Sequence, residues 1–197
     1  MIKLLGLTGK KRSGKNYTAT IIRKVAEPEI QVIELSFASA LKKEVASFLA
    51  IDIAELEGEN KEEYRTLLQW WGTDYRRNKY GDNYWIDRMD EAVQRIKQPS
   101  WLQWAKELFG SKPKNIVIVI TDVRFPNEAE YVINNGGCLW HVVNPDQTED
   151  ANSLHASETA MDKYPHYPTT LINKRDNEIP YTIRIKEMLH FYGFLDY

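Results

Sequence analysis

The chain has 197 residues, is 43% hydrophobic and 27% charged, and carries a formal net charge of −2 at pH 7. That length buries one sizeable core with room for an insertion, and the charge balance lacks the basic field of a nucleic-acid binder, so a small partner is expected. Cys138 stands alone, which excludes an internal disulfide and a cysteine-built zinc site; no apolar run suits a leader or a membrane span, so a cytoplasmic chain is expected.

The apolar run Ile2-Lys3-Leu4-Leu5-Gly6-Leu7 predicts a strand. Behind it, Gly9-Lys10-Lys11-Arg12-Ser13-Gly14-Lys15-Asn16 predicts a glycine-framed loop and a helix starting near Lys15. The spacing G-x-x-x-x-G-K is that of a phosphate-cradling loop. Gly9 and Gly14 allow a tight turn whose N–H groups approach phosphate oxygens, the helix adds its positive end, and Lys15 adds a point charge. Asn16 stands where a Ser or Thr hydroxyl would ligate magnesium, and Thr18 lies two positions further on.

Ala19, Ile22, Val25 and Ala26 recur at helical spacing until Glu27-Pro28, and Ile30-Gln31-Val32-Ile33-Glu34-Leu35 reads as a second strand. It feeds Ser36-Phe37-Ala38-Ser39 and a helix with Ala38, Leu41, Val45, Phe48 and Leu49 on one face and Lys42 and Lys43 off it. Residues 52–62 are acidic and read as a loop or short exposed helix. In the segment from Tyr64 to Arg77, at about 100° per residue, Arg65, Gln69, Gly72 and Arg76 fall within about 60° of one another, with Leu67, Trp70, Trp71 and Asp74 behind. Two guanidinium forks, an amide and a bare glycine on one face suit a phosphate-bearing ligand. Trp85 opens the next helix, whose Ile86, Met89, Val93 and Ile96 share a face; its indole suits a base or the core equally. Trp101, Trp104 and Leu108 predict a short surface helix.

Asn115-Ile116-Val117-Ile118-Val119-Ile120-Thr121-Asp122 is a continuous β-branched run, the pattern of a strand buried on both faces of a parallel sheet. Asp122 ends it at the Walker-B-like position, where a carboxylate organises Mg²⁺ or its waters. Arg124 and Glu128 follow closely; Ala129, Val132 and Ile133 form a brief helical face stopped by Gly136-Gly137. Leu139-Trp140-His141-Val142-Val143 is another strand, residues 146–168 form a long polar stretch of the kind used as a lid, and Thr169-Thr170-Leu171-Ile172-Asn173 is the last strand. The histidines of the 146–168 stretch show no metal-ligand spacing. Pro180 opens a final helix with Ile185, Met188, Leu189 and Tyr192 facing inward.

Strands alternating with helices predict an α/β fold of the P-loop NTPase type, three layers α/β/α around a mostly parallel five-stranded sheet, with a helical insertion and a lid segment. The core is expected over residues 1–37, 115–145 and 169–197, the helical acceptor-binding insertion over about 38–114, and the lid over about 146–168. The motifs G-K-K-R-S-G-K, S-F-A-x-x-L-K, R-x-x-L-Q-x-x-G-T-D-x-R, G-D-x-x-W and T-D-V-R-F-x-N-E, with late S-E and L-I-N elements, span nearly the whole chain. In them the chain resembles the deoxynucleoside monophosphate kinases of bacteriophages, a branch of the P-loop nucleoside monophosphate kinases.

The resemblance implies an ATP site that includes Ser13, Lys15 and Asn16, with Gly9, Arg12 and Gly14 of the loop and nearby Thr18 as further candidates. It implies that Arg65, Gln69, Gly72, Thr73 and Trp85 belong to an acceptor dNMP site, to which Phe37 and Lys42 at the strand-to-helix junction and Arg76 on the helical stripe are added as candidates. Lys15, Asp122, Arg124 and Glu128 would surround the transfer, with Mg²⁺ held at Asp122 through water. ATP and a dNMP are then the partners, with no nucleic acid or membrane and with a homodimer left open. Where the family reads G-K-D-T, this chain reads Gly14-Lys15-Asn16-Tyr17, a departure that touches the metal ligands. A P-loop kinase for another acceptor, dephospho-coenzyme A or a phosphorylated alcohol, and a non-catalytic ATP-binding regulator are the rival readings.

Overall fold

The computed structural model describes residues 2–26, 30–57, 59–98, 100, 115–146, 156–165, 169–174 and 178–195. The expected short helix at Trp101–Leu108 and much of the expected lid lie outside them. The chain divides into two compact units, one of Met1–Leu35 with Val93–Tyr197 and one of Ser36–Ala92.

The first unit is built on five strands, β1 (Ile2–Thr8), β2 (Ile30–Leu35), β3 (Asn115–Val123), β4 (Cys138–Val143) and β5 (Thr169–Ile172), in the order β2-β3-β1-β4-β5. Every neighbouring pair is parallel. The central strands are the most continuously apolar because both of their faces are covered: Leu4, Leu5 and Leu7 of β1 and Ile116–Ile120 of β3 are all buried.

Parallel neighbours require crossovers, and helices supply them. On one face lie α1 (Lys15–Ala26) and the C-terminal helix, whose Ala19, Ile21, Ile22, Tyr181, Ile185, Met188 and Leu189 close over Leu5, Leu7, Val117, Val119, Trp140 and Leu171. The other face carries the helix Pro126–Asn134: a side chain at Gly6 would come within 3.0–3.2 Å of Leu139, Val123 and that helix's Val132. The C-terminal helix spans Glu178–Phe191, so Pro180 lies within its first turn rather than opening it; without an N–H to lose there, proline is tolerated.

Right-handed crossovers send the chain from β1 toward β2 over one face and from β3 toward β4 over the other. The C-terminal ends of β1 and β3 therefore face a topological switch point, where α/β proteins bind ligands.

The second unit holds α2 (Phe37–Leu49), two 3₁₀ turns (Ile53–Leu56 and Glu59–Glu62), and α3 (Arg65–Gln69). α3 passes directly into a π-helical stretch, Trp70–Arg77, then α4 (Asn78–Tyr80) and α5 (Tyr84–Lys97), whose residues from Val93 on belong to the first unit. Ser36 caps α2 by accepting the Ser39 N–H at 3.1 Å. Val45, Ala46, Leu56, Trp71, Trp85 and Met89 make its interior, whereas Phe48, on the expected apolar face of α2, is 70% exposed. In chain order the remaining helices are α6 (Pro126–Asn134), α7 (Ala156–Thr159) and α8 (Glu178–Phe191). Among the described residues no helix is long and apolar enough to cross a membrane.

Candidate active site

From Thr8 the chain turns through residues 9–14 into α1. Gly9 and Gly14 have φ of 143° and 100°, and Arg12 between them is left-handed at 65°. A side chain at Gly9 would lie 2.2 Å from the Val142 carbonyl oxygen, and one at Gly14 would lie 2.0 Å from Asn173 Nδ2. Backbone dihedral and space both require glycine at these two positions. Arg12 adopts a left-handed backbone that costs an L-residue about 1–2 kcal/mol, and such strain clusters at functional loops. Lys15 Nζ donates to the carbonyls of Gly9 (2.6 Å) and Lys10 (2.9 Å), which keeps the ammonium against the loop backbone at the positive end of α1. Ser13 is buried and Asn16 exposed.

Thr18 does not join this site. It is fully buried on the inward face of α1, and its hydroxyl bonds the Gly14 carbonyl (2.9 Å) and the Tyr181 hydroxyl (2.7 Å). Two positions past the usual ligand, a helical residue points about 200° away from it. Its partner Tyr181 is pushed up to about 12 by burial, and Tyr17 stacks on that ring at 6.2 Å.

The end of β3 contains an irregularity at Thr121 and Asp122. Gly6 pairs with Ile120 and Thr8 with Val123, so β3 carries one extra residue opposite Leu7. Ile120 and Val123 thereby share the α6 face, with the extra residue falling between them at Thr121 and Asp122. The Asp122 carboxylate and the Asn16 amide oxygen are hard donors. They fit Mg²⁺ brought in by a nucleotide, because that ion uses one or two carboxylates together with substrate phosphates. Among the described residues no group of three or more His, Cys, Asp or Glu could hold a metal unaided.

Glu128, expected among the catalytic residues, is engaged as a helix cap. It is buried, and its Oε2 accepts the N–H groups of Arg124 (2.8 Å) and Phe125 (3.2 Å), closing the N-terminus of α6. A carboxylate so engaged fixes the backbone of Arg124, whose guanidinium side chain is half-buried.

Three further residues gather at the loop that sequence reasoning did not assign. His141 pairs with Thr8 across the ladder, and its pKa is lowered by burial first and then by Lys15 and Lys10, against the opposing pull of Asp162. Lys10 Nζ meets both Asp162 oxygens, at 2.6 and 2.8 Å, and so ties the described part of the expected lid to the loop. Asn173 donates from Nδ2 to the Ser13 carbonyl at 3.1 Å. These partners lie over 120 residues from the loop, and although Asn173 closes the L-I-N element, no spacing in the sequence ties any of them to the loop.

In the second unit the expected acceptor stripe is only partly kept. Arg76 sits with its guanidinium 4.8–5.6 Å from the ring centres of Tyr75, Tyr80, Tyr84 and Trp71 and pairs with Glu44. The same carboxylate accepts the Trp71 indole N–H (2.7 Å) and the Tyr84 hydroxyl (2.9 Å). The π-helix is the reason: five residues span about 140° of an α-helix but return to the same face of a π-helix, bringing Arg76 beside Trp71.

Gly72 is a packing glycine, since a Cβ there would meet Leu41 at 3.1 Å, and its carbonyl takes the buried Trp85 indole N–H at 2.8 Å. Trp85 is therefore core, and Phe37 is buried too. Arg65 and Lys42 remain suited to a phosphate. Their partners Glu62 (3.4 Å) and Glu57 (3.1 Å) are exposed acids, and such pairs are weak enough to exchange. Gln69 and Thr73 are half-buried on the same helical run.

A family model described as phosphomevalonate kinase matches residues 7–137, from the end of β1 past α6. A protein of Acanthamoeba polyphaga mimivirus, provisionally named deoxynucleotide monophosphate kinase, is 29% identical over 186 residues, covering 89% of this chain and 90% of the relative. That relative comes from a giant virus rather than a bacteriophage. A solved structure titled as TT1252 from Thermus thermophilus aligns over 98% of both chains at 15% identity with a TM-score of 0.44, too low to carry weight.

Proposed function

The chain belongs to the phosphomevalonate kinase family and is a phosphotransferase of the P-loop kinase type, and within that family we propose that it transfers the γ-phosphate of ATP to a deoxynucleoside monophosphate. The observation that carries this reading is the phosphate loop itself. Two glycines in left-handed backbone and a lysine folded over the loop carbonyls stand at the C-terminal end of the central strand. The choice of acceptor is supported by the name of the mimivirus relative and by the motifs around Arg65 and Arg124.

Chemistry follows from charge. Donor and acceptor are both phosphate anions, so the first task is to offset their repulsion. Lys15 exchanges its two carbonyl partners for β- and γ-phosphate oxygens, trading neutral acceptors for charge-assisted bonds. Arg124, aimed by the Glu128 cap, faces charge that develops on the transferred group. Arg65 and Lys42 take the acceptor phosphate, with Gln69 and Thr73 as its polar neighbours. Mg²⁺ bound with ATP supplies further neutralisation of the phosphate oxygens, and Asp122 would orient its waters. The acceptor is already ionised, so no strong general base is required.

The family description favours a second acceptor, phosphomevalonate, another phosphate-bearing molecule. Phosphate transfer from ATP is therefore measured against dNMPs, NMPs, phosphomevalonate and dephospho-coenzyme A. Turnover of one or more dNMPs in preference to the others is expected; turnover of phosphomevalonate alone would replace the dNMP reading.

A further inference from the structure

The loop is seated against the two outer strands on its β4 side. The Val142 carbonyl occupies the space a side chain at Gly9 would need, and the Asn173 amide does the same at Gly14. Asn173 is 3% exposed, one residue past the end of edge strand β5, and its own N–H continues the ladder to the Val143 carbonyl at 2.8 Å. Its side chain then reaches the Ser13 carbonyl. In a trans peptide the C=O and the following N–H point in opposite directions. Holding the Ser13 carbonyl toward β5 therefore aims the Gly14 N–H away from Asn173.

We propose that Asn173 is a positioning residue for the phosphate donor. It sets the Ser13–Gly14 peptide plane so that the loop's N–H groups converge on the phosphates, which gives the short edge strand control over ATP affinity. This rests on the reading of residues 9–16 as the ATP-binding loop and is independent of which acceptor is used. Apolar burial alone would not select this residue. Asparagine presents a donor to Ser13, and its flat amide fits against the bare Cα of Gly14, whose φ of 100° excludes other residues.

Calorimetric titration of Mg-ATP into the full chain separates positioning from folding, because misfolding lowers the number of sites while mispositioning weakens each of them. Asn173→Ala is expected to raise the Kd about tenfold at unchanged stoichiometry, the effect of leaving one buried carbonyl unpaired and its peptide free to rotate. Asn173→Asp keeps the shape but sets a carboxylate against the Ser13 carbonyl. Its affinity should be lower still at pH 8 and recover, relative to wild type, on acidification as the carboxyl regains a proton to donate. Wild type shares the titrations of His141 and of ATP itself, so the ratio isolates the new group. An Asn173→Ala Kd within twofold of wild type would overturn the proposal, as would an Asn173→Asp ratio that ignores pH. A wild-type chain that binds no ATP would overturn the loop assignment along with it.

Discussion

The phosphate loop and the helical run from Arg65 to Trp85 both suggest phosphate binding in sequence, and the structure treats them differently. At the loop, spacing and geometry coincide, with both glycines at positive φ and Lys15 against the backbone they expose. In the helical run, Arg76 turns into a ring of aromatics and Glu44, Gly72 packs on Leu41, and Trp85 goes to the interior. The loop is a backbone device, specified by residues that neighbour one another in sequence. The stripe was a side-chain device, and it depended on a helical period that eight π-helical residues then changed.

The largest expected effect separates chemistry from packing. Lys15→Ala should lower kcat by about 10²–10³-fold with little change in Tm, because the lysine acts on phosphate charge and its partners here are loop carbonyls. A loss of only a few-fold in steady-state kinetics would move the transfer site away from the loop. Glu44→Gln should act the other way, removing the countercharge of a half-buried guanidinium. Chemical denaturation is expected to show a loss of about 1–3 kcal/mol with ATP affinity unchanged, since none of Glu44's partners belongs to the loop. Undiminished stability with a raised acceptor KM would restore Arg76 to the ligand-facing stripe.

The smallest effect is a pH dependence. Tyr181, beneath the loop, has its pKa pushed up to about 12 by burial, offset in part by its bond to Thr18. A phenol whose folded pKa lies above its unfolded value of about 10 contributes stability below pH 10 and loses it as pH rises toward 12. Wild type should therefore lose stability more steeply than Tyr181→Phe between pH 10 and 11 in denaturant titrations; parallel curves would place Tyr181 in a wetter setting. Tyr84, raised by burial and then by Glu44, would contribute in the same direction from the second unit.

Much of the fold was legible because strand signals are local. The β-branched run at 115–122 and the alternation of strands with helices correspond to β3 and to an all-parallel sheet. Phe48 shows the limit: periodicity placed it with Val45, yet Val45 is fully buried while Phe48, resting on the Trp71 ring at 4.8 Å, is 70% exposed. Glu128 shows another, because a carboxylate three residues into a helix reads alike as an acid near a site and as a cap, and the Arg124 and Phe125 N–H groups choose the cap.

What could be read from the residues alone was the position of the phosphate loop, the parallel α/β layout and the strand ending in Asp122, each encoded within a dozen neighbours. Contacts across the chain decided the rest. Asn173 reaches Ser13 over a separation of 160 residues, Asp162 reaches Lys10 over 152, and Glu44 gathers Trp71, Arg76 and Tyr84 from 27 to 40 residues away. Hydrophobic period specifies which face of an element is buried, but carries no information about which distant polar group will meet it. Those pairings arise only when packing brings the elements together and every buried donor must find an acceptor.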